Sequence, residues 1–273
     1  MLLSPWIYAL TGAGTGLVGA MLGLGGGVFL VPTLTLLFDV PFRTAVAASL
    51  ISVIATASVT STVNLGRGFV NFRLGMTLEI ATTIGGLTGG LLAALLAPKH
   101  LFSIFGVTLA AMGLIMASRS GRRNIIADLD ADPGLLGGRL EEGGRTYVYR
   151  LRRVPLAFGA SLLAGSISGL LGLGGGIIKV PILNAFCGIP IKVATATSAF
   201  MIGVTAAASA FLYYGRGDVD LRLAAAIAVG ALLGSLAGAR IAHAVEAKWL
   251  KVFMAAILMV VGAQMAVKAL RLP

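Results

Sequence analysis

Charge is what this chain has least of. Only 11% of its 273 residues are charged, with 10 Asp and Glu in all, 2 His and a single cysteine, Cys187. A soluble domain carries about 25% charged residues, so this surface cannot be covered for water. One cysteine excludes an intrachain disulfide and a CxxC metal or redox site. There is no HExxH, no GxSxG and no pair of aspartates inside an apolar run. An enzyme therefore lacks its tools, and neither cofactor nor metal is expected. Asp128, Asp130 and Asp132 crowd together, but the glycine and distal glutamate of a calcium loop are missing.

What is abundant is apolar: 58% of residues are hydrophobic and the mean hydropathy is +0.97. This composition predicts an all-α polytopic membrane protein, long enough for roughly 7–10 membrane segments of about 20 residues. The opening MLLSPWIYALTGAGTGLVGA has no basic leader and reads as a retained first segment, not a cleaved signal. A net charge of +11 fits basic loops held against anionic lipid; nucleic acid is not an expected partner.

The chain is a duplication. Gly23 to Gly27 align on Gly172 to Gly176, a register shift of 149 residues, with Leu24 on Leu173. The same shift places Pro32 on Pro181, Pro41 on Pro190, Ser49 on Ser198, and Gly66, Arg67 and Gly68 on Gly215, Arg216 and Gly217. Residues 1–117 form a first membrane repeat, 118–154 a charged linker, and 155–273 a second repeat. Each repeat holds five apolar pieces, roughly 6–22, 28–38, 43–64, 75–97 and 100–117, then 155–171, 177–187, 192–214, 222–243 and 248–268. The piece after each GLGGG is too short to cross about 30 Å of hydrocarbon at 1.5 Å per residue. It is a half-helix that crosses with help, or one arm of a re-entrant hairpin.

Linker residues Arg119, Arg122, Arg123, Arg139, Arg145, Arg150, Arg152 and Arg153 put 118–154 on the cytoplasmic side of an inner membrane, as a solvated connection. Each repeat makes an odd number of net crossings, so the repeats insert with opposite orientation and both termini lie outside. Inverted repeats with matching Gly/Pro-interrupted segments are the mark of secondary transporters, whose substrates bind where the broken helices meet.

The two glycine turns, Gly25, Gly26 and Gly27 with Gly174, Gly175 and Gly176, can free backbone N–H groups from the helical ladder. The following short helices add their N-terminal donors and partial positive charge, which suits a small oxyanion. Lys179 brings a full charge to one turn, where the other has Leu30. It is a substrate ligand by default, or it snorkels to an interface. Ser49, Thr195, Thr197 and Ser198 complete the anion's shell or bond carbonyls of their own helices. Arg67 and Arg216 are gate charges at opposite mouths or turn-stabilising residues; Arg240 and Glu79 sit inside apolar helices, and Arg240 needs a partner. Gly12, Gly16, Gly85, Gly86, Gly89 and Gly90 fit close helix packing. Gly14, Gly16 and Gly19 spell GxGxxG, but within a membrane-length apolar run and not at a strand-to-helix turn.

The duplicated GLGGG-x-x-x-VP, the VATATS helix start and the YYGRGDVD turn resemble the TauE/SafE family of membrane permeases. The resemblance implies export, or sometimes uptake, of small anions such as sulfite and organosulfonates. The expectation is thus a secondary carrier alternating around the two turns; an anion channel, or a carrier of other organic acids, remains the alternative. Coupling to protons or sodium is left open, with Glu79 and His243 as proton candidates, and so is a homodimer.

Overall fold

The computed structural model describes residues 4–118, 132–142, 144–244 and 247–271. The first repeat gives α1 (Pro5–Leu22), α2 (Gly27–Leu36), α3 (Phe42–Leu65), α4 (Phe72–Ala93) and α5 (Pro98–Ser118). A short hairpin, β1 (Gly138–Glu142) and β2 (Arg145–Tyr149), precedes α6 (Val154–Leu171), α7 (Gly176–Ala185), α8 (Ile191–Gly215), α9 (Leu221–Ala244) and α10 (Ala247–Arg271). Every helix start in α6 to α10 falls at the register of α1 to α5, and the bounds of α6 and α7 copy those of α1 and α2 residue for residue. The duplication read from sequence is therefore a duplication of elements. Among the described residues, six helices are long and apolar enough to cross a membrane.

The short pieces re-enter. Tyr8, near the start of α1, packs edge-on against Phe38, just past α2, with ring centroids 5.7 Å apart. In the second half the Arg152 amide, just before α6, donates to the Cys187 carbonyl, just past α7, at 2.7 Å. Each hairpin thus comes back to the face from which it started, which resolves the choice between crossing and re-entry. Pro41 and Pro190 then cap the starts of α3 and α8 with extended backbone, and Pro32 and Pro181 lie within α2 and α7.

Direction follows from side-chain bonds. The Asn71 amide donates to Thr197, Thr205 to Glu79, and Arg216 to the Gly90 carbonyl, each at a separation of 126 residues. That constant offset means α4 and α8 run side by side in the same direction. Since α3 leads into α4 through a tight turn, α8 runs opposite to α3, its counterpart. Arg43, at the start of α3, donates to the Ala94 carbonyl past the end of α4, fixing both at the face away from the linker.

Small residues set the interhelix distances. α1 packs on α9 and α4 on α6, so each half completes the other. A side-chain carbon on Gly12 would meet the Ile227 carbonyl, one on Gly85 the Leu162 carbonyl, and one on Gly89 the Ser166 carbonyl. Those backbones touch because nothing stands between them. Met76, Ile80, Ile84 and Leu91 lie on the opposite side of α4, exposed as a lipid-facing surface requires. Gly14 of the GxGxxG string faces that same surroundings, whereas Gly16 packs on Ala231 and Gly19 on Gly26, leaving no dinucleotide loop.

Among the described residues of the linker, 138–149 include a β-hairpin. β1 and β2 pair antiparallel from Gly138 opposite Tyr149 to Glu142 opposite Arg145. Leu140, Tyr149 and Leu151 are buried with the helical core. Burial pushes the Tyr149 phenol above its ordinary value near 10, opposed by the Asn71 amide that donates to its oxygen at 3.2 Å. The acidic residues Asp128 and Asp130 lie outside the described residues.

Two alanine substitutions in α1 test this packing. Gly14 has open space around it, so Gly14→Ala should leave the melting temperature unchanged or raise it, worth about 0.5–1 kcal/mol. Gly16→Ala forces a carbon to 2.6 Å from the Ala231 carbonyl oxygen and should cost about 1–3 kcal/mol. Thermal unfolding of both purified variants in detergent checks the contrast.

Candidate functional site

The two glycine turns lie back to back in the interior. Gly23, Gly25 and Gly26 have φ of 67°, 76° and 81°, and Gly172, Gly174 and Gly175 have 72°, 73° and 75°. Only glycine holds such a run of left-handed residues without strain, and these positions break the helix between α1 and α2 and between α6 and α7. A carbon added to Gly27 would meet the Gly172 carbonyl, and one on Gly176 the Gly23 carbonyl. These two contacts are images of one another under the repeat. Val53 and Ile202, also equivalent, close over Gly25 and Gly174. Turn and cap bonds engage the amides of Gly23, Leu24 and Phe29, and those of Gly172, Ile178 and Lys179. The amides of Gly25 to Gly27 and of Gly174 to Gly176 stand outside that set.

Lys179 stands on the first turn of α7, its own amide donating to the Gly175 carbonyl at 3.2 Å. Its side chain is 0% exposed, so it does not snorkel to an interface. Across from it, Nζ lies 4.0 Å from Oε2 of Glu79 on α4, itself 8% exposed. Thr205 on α8 donates to the other carboxylate oxygen, Oε1, at 2.6 Å, and Thr83 donates to it at 3.1 Å. Glu79 Oε2 and Lys179 Nζ have no hydrogen-bond partner. The cation and the anion therefore face each other, both buried, with Nζ and Oε2 free of hydrogen bonds.

The remaining expected residues divide sharply. Ser49 donates to the Gly172 carbonyl at 2.8 Å, tying α3 to the opposite turn. Its counterpart Ser198 lies beside Gly176 and is buried without a partner. Thr195 bonds back to the carbonyls of Ile191 and Lys192 in its own helix. Thr197 accepts the Asn71 amide at 3.0 Å, near the linker face. Arg216 donates to Gly90 at 2.7 Å and lies over the Tyr213 ring, clamping α8 to α4. Arg67 is exposed in the turn after α3, and Arg240 is exposed on α9, away from the glycine turns. The His243 side chain lies outside the described ones. A groove of about 580 Å³ between α2 and α10, lined by Phe29, Pro32, Leu36, Gln264 and Lys268, does not reach the turns.

Thr83, Thr205 and Asn71 carry no mark in the sequence. Glu79 has one, as the single acid of TLEIATT, yet nothing local to either stretch joins it to Lys179. The stability of the pair can be measured. Lys179→Leu alone leaves Glu79 buried without its counter-charge and should cost about 3–5 kcal/mol. Combining it with Glu79→Ala reproduces the residues at the symmetry-related place, Leu30 of the first repeat and Ala228 of the second, and should recover more than half of that loss. Melting temperatures of the single and double variants in detergent give the coupling.

The chain matches the family model described as Sulfite exporter TauE/SafE over residues 8–265. It is similar to the probable membrane transporter protein YunE of Bacillus subtilis, 27% identical over 266 residues, which cover 95% of this chain and 96% of that protein. A similar likeness holds to the probable membrane transporter protein MJ0441 of Methanocaldococcus jannaschii, 27% identical over 279 residues, covering 96% and 95%. A probable membrane transporter protein of Xylella fastidiosa strain 9a5c is 28% identical over 232 residues, covering 83% and 82%. No solved structure matches the chain. With apolar spanning helices and paired re-entrant hairpins, and with relatives matched along nearly their whole length, this multi-pass membrane transporter belongs to the sulfite exporter TauE/SafE family.

Proposed function

We propose that the chain is a secondary carrier for small anions such as sulfite or organosulfonates, alternating between two open states around the paired glycine turns and Lys179. The observation that carries this reading is the position of Lys179. A fully buried ammonium stands on the first turn of a short helix, directly after glycines whose amides lie outside the loop hydrogen bonds. A cation, a helix N-terminus and adjacent backbone donors together favour an oxyanion. Ser198, buried beside Gly176 with an unused hydroxyl, is placed to add a further donor.

The closed packing of Val53 and Ile202 over the turns supports a carrier more than a channel, since a standing pore would leave a wet path between them. Rocking of one hairpin against the other opens that packing to one face at a time. The net charge of +11 and the arginines of the linker support an inner-membrane protein with 118–154 cytoplasmic and both termini outside. Arg67 and Arg216, in equivalent turns at opposite faces, then draw anions to either mouth while Arg216 also clamps α8.

A thermal-shift screen of the purified protein against sulfite, sulfoacetate, thiosulfate and lactate should single out one or more stabilising anions. In proteoliposomes, unlabelled anion inside should accelerate entry of labelled anion, which a channel cannot do. Lys179→Ala should weaken the affinity of the stabilising anion at least about tenfold, the worth of a charged hydrogen bond. Unchanged affinity removes Lys179 from the site and the reading with it.

A further inference from the structure

We propose that Glu79 is a proton-binding site linked to anion binding at Lys179, so that each monovalent anion travels with one proton. The inference rests on the anion reading above and adds the co-transported ion.

The site is neutral as it stands. Lys179 and Glu79 are both buried, 4.0 Å apart between Nζ and Oε2, and neither atom has a hydrogen bond. Such a pair holds its net charge at zero yet leaves three ammonium donors and one carboxylate oxygen unmatched. An anion drawn to Lys179 would meet Glu79 across the same ammonium, and two negative charges would share one positive charge in a region of low dielectric. The carboxylate cannot swing away, because Thr205 and Thr83 hold Oε1 from α8 and from the next turn of α4. Oε2 is the oxygen left for a proton. When a proton from the aqueous side adds to Oε2, the ammonium is released to the anion, and the loaded site carries the same net charge as the empty one.

Among the described residues of the helices packed on α4 and α7, nothing else supplies the missing charge: on α5, which packs on α7, Lys99 and His100 lie at the exposed start. α6 has no titratable side chain, and α7 has Lys179 alone. On α8, Lys192 lies at the start, and Tyr213 and Tyr214 lie near the far end, with Thr205 between them. On α4 itself, Arg73 is at the exposed start. The symmetry-related place makes the same point by omission: Leu30 of the first repeat stands for Lys179 and Ala228 of the second for Glu79. There the cation and the acid are missing together. Thr56, the counterpart of Thr205, is left buried with its hydroxyl unbonded.

The test uses the purified full-length protein in liposomes with a pH-sensitive dye in the lumen. The probe is methanesulfonate, which has no proton to release near neutral pH, or the panel anion that stabilises the protein most if methanesulfonate is not taken up. An inward anion gradient should acidify the lumen with one proton per anion. Above the titration midpoint of the pair, affinity for the anion should fall by up to about tenfold per pH unit. Glu79→Gln should abolish lumen acidification and flatten the pH dependence of affinity. Anion entry that builds a membrane potential without acidification overturns the inference and leaves the anion site standing. A panel in which no anion binds overturns both. If Glu79→Gln fails to fold, the ratio in the unmodified protein decides: one supports the proposal and zero ends it.

Discussion

Hydrocarbon offers a backbone amide no partner, so a helix can be broken inside a membrane only where protein covers the break. This chain breaks two helices, after α1 and after α6, and covers each break with the other. Gly27 lies against the Gly172 carbonyl and Gly176 against the Gly23 carbonyl, with no room for a side-chain carbon at either contact. Ser49 adds a hydrogen bond from α3 to the Gly172 carbonyl. From this mutual cover the rest follows. The two hairpins meet here from opposite faces, with α8 running opposite to its counterpart α3. α1 and α4 must then reach across to α9 and α6, and they do so along glycine-lined seams.

The backbone is symmetric where the chemistry is not. Val53 and Ile202 mirror one another over the turns, and Ser49 and Ser198 beside them. Lys179 and Glu79 have no mirror image, because Leu30 and Ala228 occupy those places. Leu30 belongs instead to an apolar cluster with Tyr8, Leu34, Ala45 and Ile227. The scaffold is thus symmetric, while the buried pair, with Lys179 from the second repeat and Glu79 from the first, stands at only one of the two symmetry-related places.

The linker hairpin is tied to helices of both repeats around that pair. Asn71 caps α4 by accepting from the Leu74 amide, and its side-chain nitrogen donates to Leu136, Gly137 and Tyr149 at the base of the hairpin. Its main-chain amide donates to Thr197 on α8. On the other side of the hairpin, the Arg152 amide holds the Cys187 carbonyl at the end of α7. The helices that bear Glu79, Thr205 and Lys179 are therefore joined at the linker face by one polar knot.

Hydropathy, the spacing of GLGGG and the prolines are local properties, and they sufficed for the membrane class, the repeat register and the positions of the breaks. The bounds of α1 and α6 and the starts of α2 and α7 fell within one residue of those read from them, because glycine and proline act on the backbone at their own positions, while α2 and α7 end two residues earlier than read. The polar residues were not legible in the same way. Thr195, Thr197, Ser49 and Ser198 look alike in sequence, yet three spend their oxygens on protein groups and Ser198 does not. Re-entry as against crossing, the hairpin within the linker and the facing of Lys179 with Glu79 were decided only when distant segments packed. A hydrogen bond or ion pair depends on distance in space, and chain positions so far apart carry no record of it.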